Sequence, residues 1–198
     1  MSVDPAATDK RFRLPLEPGR GAGFVTQKLV REGQAWVYRP TRIAQAFSGV
    51  FLYLGYAALA GALLHIGHGL LGTLAFLCAG GLFVGIGRHL RQFFSVGARF
   101  DPLTRRIGIP ARAPFPPWFG TGRHEMILEF GEVAEIEILE KDLFTGDTSD
   151  AINFELNLVQ KDGGRVNVVS HADDTLVVSE AAVLSRMLGV PVFDGRRP

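Results

Sequence analysis

Two histidines, His65 and His68, stand three apart in LLHIGHGLL, inside the most apolar part of the chain. Imidazole nitrogens so spaced can ligate a metal or haem, but a transition-metal site also wants further ligands and carboxylates behind them. No other His, Cys, Asp or Glu is close to this turn; the single cysteine, Cys78, and His89 fall farther along. His65 and His68 are therefore weak metal candidates, rescued only if several copies pool their histidines, and a hydrated turn is the simpler expectation. Ser170, His171, Asp173 and Asp174 supply the residue types of a nucleophile, a base and its orienter. A triad is a spatial arrangement, however, and near neighbours at a strand end rarely converge on one another. A turn and a helix cap are expected there. The acids Asp142, Asp147 and Asp150 lack the spacing of an EF-hand loop, and GRGAG (19–23) neither follows a strand nor opens a helix as a phosphate cradle does. No G-x-S-x-G elbow occurs. The expectation is a protein that is not an enzyme and carries no cofactor.

The elements around these residues are more informative. Mean hydropathy is +0.17, and the apolar excess is concentrated: residues 43–87 contain no Lys, Arg, Asp or Glu. As one straight helix those 45 residues would run about 68 Å, against about 20 residues for one bilayer crossing. The run predicts two transmembrane helices, 43–64 and 70–87, folded at Gly67 and Gly69. Arg and Lys flank both outer ends and are missing from the turn, so both termini are expected to face the cytoplasm. The first 40 residues lack the apolar core of a cleavable signal. One cysteine excludes an internal disulfide.

Charge divides along the chain although the total is only +1. Residues 1–42 hold eight basic and four acidic side chains, 88–123 seven and one, and 124–198 six and fifteen. Basic segments beside the helices suit anionic lipid. An acidic distal part argues against nucleic acid. Candidate lipid-contact residues are Arg88, Arg91, Arg105, Arg106, Arg112 and Trp118, the last two in the proline-rich PARAPFPPWFGTG (110–122). The candidate partner face is Glu135, Glu137, Glu140 and Asp142. Pairs of small residues four apart, Ala57 and Gly61, Ala58 and Ala62, and Gly81 and Gly85, allow close helix approach, either within the hairpin or toward a homo-oligomer.

Residues 1–22 read as a flexible basic tail. Residues 23–42 are too apolar for a free linker, and either lie on the membrane or supply strands to a sheet. Residues 88–198 read as a cytosolic domain of alternating strands, clearest in INFELNLV and RVNVVS around Asp162-Gly163-Gly164. A helix over about 174–188 follows, with Leu176, Val183, Leu184, Met187 and Leu188 as its apolar face, stopped by Gly189. The fold class is a transmembrane helical hairpin plus an α+β antiparallel sheet or partial barrel closed by a C-terminal helix.

This order resembles the pleckstrin-homology-like (PH-like) domains of small bacterial two-helix membrane proteins. The likeness rests on Phe100-Asp101 before a turn, Arg105-x-Ile107, Glu135-Ile136-x-Ile138, the Asp162-Gly163 turn, and Leu188–Val192 as LGVPV. The resemblance implies a scaffold for protein or lipid contact and no catalytic residues. The leading expectation is a membrane scaffold or regulatory protein that binds a protein partner, in assembly, regulation or immunity-type protection of a membrane complex. The alternatives are an anionic-lipid-binding module, and an oligomeric channel or redox subunit built on the His65/His68 turn.

Overall fold

The structure is a computed structural model and describes residues 13–16, 22–67, 69–95, 97–110, 125–142 and 152–196. His68, Arg112, Trp118 and the acids Asp147 and Asp150 lie outside the described residues. Two antiparallel strands come first, β1 (Gln27–Glu32) and β2 (Ala35–Pro40), joined at Gly33, whose positive φ of 61° the tight turn requires. Thr41 then caps α1 (Arg42–His65), its Oγ1 accepting the Ala44 amide at 3.2 Å. The chain turns at Gly67 and Gly69, both at positive φ, into α2 (Leu70–Ser95).

At 24 and 26 residues, the helices extend about 36 and 39 Å. Both are long and apolar enough to cross a membrane, and only 17% and 11% of their most apolar windows are buried. That low burial separates them from the core helices of a water-soluble protein. Their contact is through glycine: a Cβ on Gly55 would lie 2.7 Å from Val84, and one on Gly80 2.7 Å from Leu59. Ala62 is buried in the same seam. Gly81 and Gly85 instead face open space, so they do not pack the hairpin together.

The second helix runs eight residues beyond the expected end at Gly87. In RHLRQ every residue but His89 is a good helix former, and the next glycine is Gly97. There a Cβ would collide with the Tyr38 carbonyl, because β3 (Arg99–Asp101) slides in against β2. With β4 (Arg106–Pro110) and β5 (Glu125–Glu129) this completes a five-stranded sheet, ordered β1-β2-β3-β4-β5. The apolar stretch 27–40 thus forms two strands of a sheet whose other three lie beyond the helices.

A single 3₁₀ turn (Phe130–Glu132) leads into the second sheet. Its members are β6 (Val133–Asp142), β7 (Ile152–Gln160), β8 (Arg165–His171) and β9 (Val192–Asp194), ordered β8-β7-β6-β9, with β9 parallel to β6. The VPVF tail is therefore an edge strand. Between β8 and β9, α3 (Asp174–Leu188) is capped by Asp173, which accepts the Leu176 amide at 3.0 Å, and stopped by Gly189 at φ 73°. One apolar core joins all three layers: Phe100, Ile107 and Leu128 from the first sheet, Ile136, Ile138, Leu156 and Leu158 from the second, and Val177, Ala181 and Leu184 from α3. The class is α+β.

Candidate functional site

The site begins with strand periodicity. Side chains alternate faces along a strand, so Ile136 and Ile138 enter the core while Glu135, Glu137 and Lys141 point to the outer face of β6. On β7 the same alternation sends Asn153, Glu155 and Asn157 outward, and on β8 Ser170 is paired opposite Glu155. The result is a polar outer face. Lys141 Nζ donates to Glu155 Oε1 at 2.9 Å and to Ser170 at 3.1 Å. Arg165 is ion-paired with Glu137 and also donates to it through Nε at 2.9 Å. Asn157 Nδ2 donates to Glu137 at 3.2 Å.

An outer face of this kind normally meets water, but Glu137, Glu155, Asn153 and Asn157 are fully buried here. Residues 13–16 lie across them. Arg13 donates to Glu137 at 2.9 Å and to Glu135 at 2.5 Å, with its guanidinium 5.2 Å from the centre of the Phe193 ring. The Leu16 amide donates to Glu155 Oε2 at 2.8 Å, and the Leu14 carbonyl accepts from Arg165 at 3.1 Å. Farther along, Asn153 donates to the Ala22 carbonyl at 2.9 Å. Burial works against the Arg13 charge, but the hydrogen bonds and proximity of Glu137 and Glu135 outweigh it and raise its pKa. Among the described residues the patch joins three carboxylates (Glu135, Glu137, Glu155) to three cations (Arg13, Lys141, Arg165).

Two expectations are corrected by this geometry. Glu135 and Glu137 are not an open acidic surface, because a segment of the same chain covers them; and residues 13–16 belong to a packed segment, not a free tail. Nor do Glu135, Glu137, Glu140 and Asp142 make one face: odd and even positions of an unbroken strand point oppositely, so Glu140 and Asp142 lie on the other side of β6. Sequence reasoning missed Arg13, Lys141, Arg165 and Glu155 as members of the patch. The odd-numbered Asn, Glu, Asn of β7 were the available signal for β7's part in it.

The Ser170–His171–Asp173 set does not assemble. Ser170 turns outward to Lys141, Asp173 caps α3, and His171 turns into the core, where its Nε2 lies 2.7 Å from Glu180 Oε2. Glu180 Oε1 accepts the Leu29 amide at 2.7 Å, latching α3 to β1. The nearby Tyr38 hydroxyl is buried without a hydrogen bond; burial, then the Glu180 charge, hold its pKa well above the ordinary tyrosine value.

The helix ends are held by the segment that precedes β1. Thr41 donates through Oγ1 to the Val25 carbonyl at 2.7 Å, and Gln27 Nε2 donates to the Phe94 carbonyl at 2.7 Å. The Phe24 ring packs on Phe47 and Phe94. Arg88 and Arg91 project from α2 near this foot. Arg105 and Arg106 do not join them. Strand β3 leaves α2 at Arg99, and the β3–β4 turn lies at its far end, where Arg105 covers the Phe130 ring with its guanidinium 5.7 Å away. His65 packs its ring 5.0 Å from Phe76. Among the described residues no three His, Cys, Asp or Glu side chains gather as metal ligands.

No protein-family model matches the sequence, and no curated protein matches it.

Proposed function

We propose that this chain is a membrane-anchored, non-enzymatic binding module of a bacterial inner membrane, with a PH-like domain on the cytosolic side. The α1–α2 hairpin is the anchor, and both termini face the cytoplasm. The module's partner is a protein that lays an extended, arginine-bearing segment across the outer face of β6, β7 and β8. One observation carries this reading: that face already holds such a segment, residues 13–16 of the chain itself, through Arg13 to Glu135 and Glu137 and through main-chain bonds to Glu155 and Arg165. Main-chain bonds are indifferent to sequence and supply affinity, while the carboxylates select the cation. Residues 13–16 then act as a resting occupant that a partner displaces.

The reading is tested by capture of the full-length tagged protein in mild detergent with quantitative mass spectrometry. An Arg13→Ala chain is expected to retain more of one membrane-complex partner than the wild type, and an Arg13→Ala/Glu137→Gln chain to lose it. Recovery of the same proteins in the same amounts from all three would reject the reading.

A further inference from the structure

Where the sheet meets the helices, the hairpin carries a cleft of about 770 Å³ bounded by Arg42, Gln45, Gly49, Tyr53, Arg91 and Phe94. A second, of about 390 Å³, adjoins it and shares Leu52 and Arg91, with Tyr56, Arg88 and Gln92 as its other walls. Among the described residues no acidic side chain lines either cleft. Arg42, Arg88 and Arg91 are exposed and make no ion pair among the described residues. Basic at the foot and apolar above it, the groove opens along Val50, Tyr53 and Tyr56, on the outer surface of α1. Such a groove needs an occupant with an anionic head and an apolar tail.

We infer that this groove binds one anionic glycerophospholipid, its phosphate between Arg42 and Arg91 and an acyl chain along Leu52, Tyr53 and Tyr56. The inference rests on the membrane-anchored reading above, since it places the groove at the lipid headgroup level. A free phosphate would use the arginines but leave the apolar walls uncovered, so the lipid is the occupant that satisfies both ends. The site is mounted rigidly. Thr41 and Gln27 tie the start of α1 and the end of α2 to the β1 segment, and Ser48, beside the cleft, is buried against the helix. The bound lipid would thus stand next to the joint between hairpin and sheet.

The experiment is native mass spectrometry of the full chain from mild detergent, titrated with phosphatidylglycerol or phosphatidylcholine. Each arginine beside an anionic headgroup is worth roughly fivefold in affinity, so the wild type is expected to prefer phosphatidylglycerol by about thirtyfold. Arg42→Gln/Arg91→Gln should bring the two lipids level, whereas Arg31→Gln, on β1 away from the groove, should leave the preference intact. Equal affinity of the wild type for both lipids overturns the inference without recourse to any variant. So does displacement of phosphatidylglycerol by equimolar inorganic phosphate, which marks a free-anion site, or a lipid-free dimer, which marks a second copy in the groove. Carbonate extraction of membranes separates the two readings. A chain released by carbonate refutes the anchor itself, while a retained chain without lipid preference refutes only the lipid site.

Discussion

Replacing Arg13 with alanine should open the covering segment without unfolding the protein beneath it. Arg13 donates one hydrogen bond to each of two carboxylates, Glu135 and Glu137, whose side chains are 10% and 0% exposed, while its own is 23% exposed. A charge-assisted hydrogen bond in a protected site contributes about 1.5–3 kcal/mol. Partial exposure and the side-chain entropy of holding an arginine reduce this to about 1 kcal/mol each, and the Phe193 contact adds about 0.5 kcal/mol. Loss of Arg13 then shifts the closed-to-open equilibrium by about 2.5 kcal/mol, roughly sixtyfold. Glu137 keeps Arg165 and Asn157, so the sheet should stay intact. The readout is hydrogen exchange of the full chain in mild detergent. The Leu16 amide, bonded to Glu155 only while the segment is down, should exchange about sixtyfold faster in Arg13→Ala, with Ile138 and Leu156 unchanged. Arg13→Lys keeps a charge that can serve one carboxylate and should fall between the two. Leu16 exchange within twofold of wild type, or acceleration spread evenly over β6 and β7, would refute the reasoning.

Two further predictions concern the core. Glu180→Leu leaves the Leu29 amide and His171 Nε2 without their acceptor. At about 1–3 kcal/mol per orphaned group the expected loss is about 2–6 kcal/mol in chemical denaturation. Glu180→Gln keeps an acceptor for Leu29 and a donor for the other histidine tautomer, so it should be several-fold milder, and equal losses would count against the latch. Tyr38 has a folded-state pKa above its unfolded one, so its contribution is fully present below about pH 10 and is lost as the unfolded chain alone ionises above it. The stability difference between wild type and Tyr38→Phe should be flat up to about pH 10 and then shift against the wild type by about 1.4 kcal/mol per pH unit. Parallel curves would show that Tyr38 is not held neutral.

The parts of the fold that follow from periodicity and composition were legible in sequence. An uncharged run of 45 residues with glycines at its middle can only fold back on itself, and the β7–β8 hairpin announces itself by alternation around Asp162-Gly163. Pairing between distant segments was not legible. Nothing local to AWVYRP says that it meets a strand about 60 residues later. The alternation Glu135-Ile136-Glu137-Ile138 correctly assigns faces, but it cannot report that a segment 120 residues upstream covers the polar one. Helix α3 is a milder case. Its buried stripe is Val177, Glu180, Ala181, Leu184 and Leu188, rotated from the apolar face expected because an acidic residue stands inside it. A buried glutamate reads as a surface residue until its partners are known.

The composition of the covered face bears on what it is for. Had Glu135, Glu137, Glu155 and the cations they pair with all been apolar, residues 13–16 could dock by burying hydrocarbon, and the contact would be at least as stable as the charged one. A partly buried ion network sits near break-even, because the desolvation of each carboxylate nearly offsets its attraction to the cation. Among the described residues such a face is held closed by the Arg13 ion pairs and a few main-chain bonds in place of buried hydrocarbon, and when it opens Lys141 and Arg165 stay paired with Glu155 and Glu137. Both properties suit exchange over permanent cover. A partner need only present another arginine in an extended segment, and the equilibrium between the two occupants is then set by small differences. The selectivity expected is therefore for charge more than for shape: an arginine-to-glutamine change in a competing peptide should abolish its binding, and changes in its neighbouring side chains should matter much less.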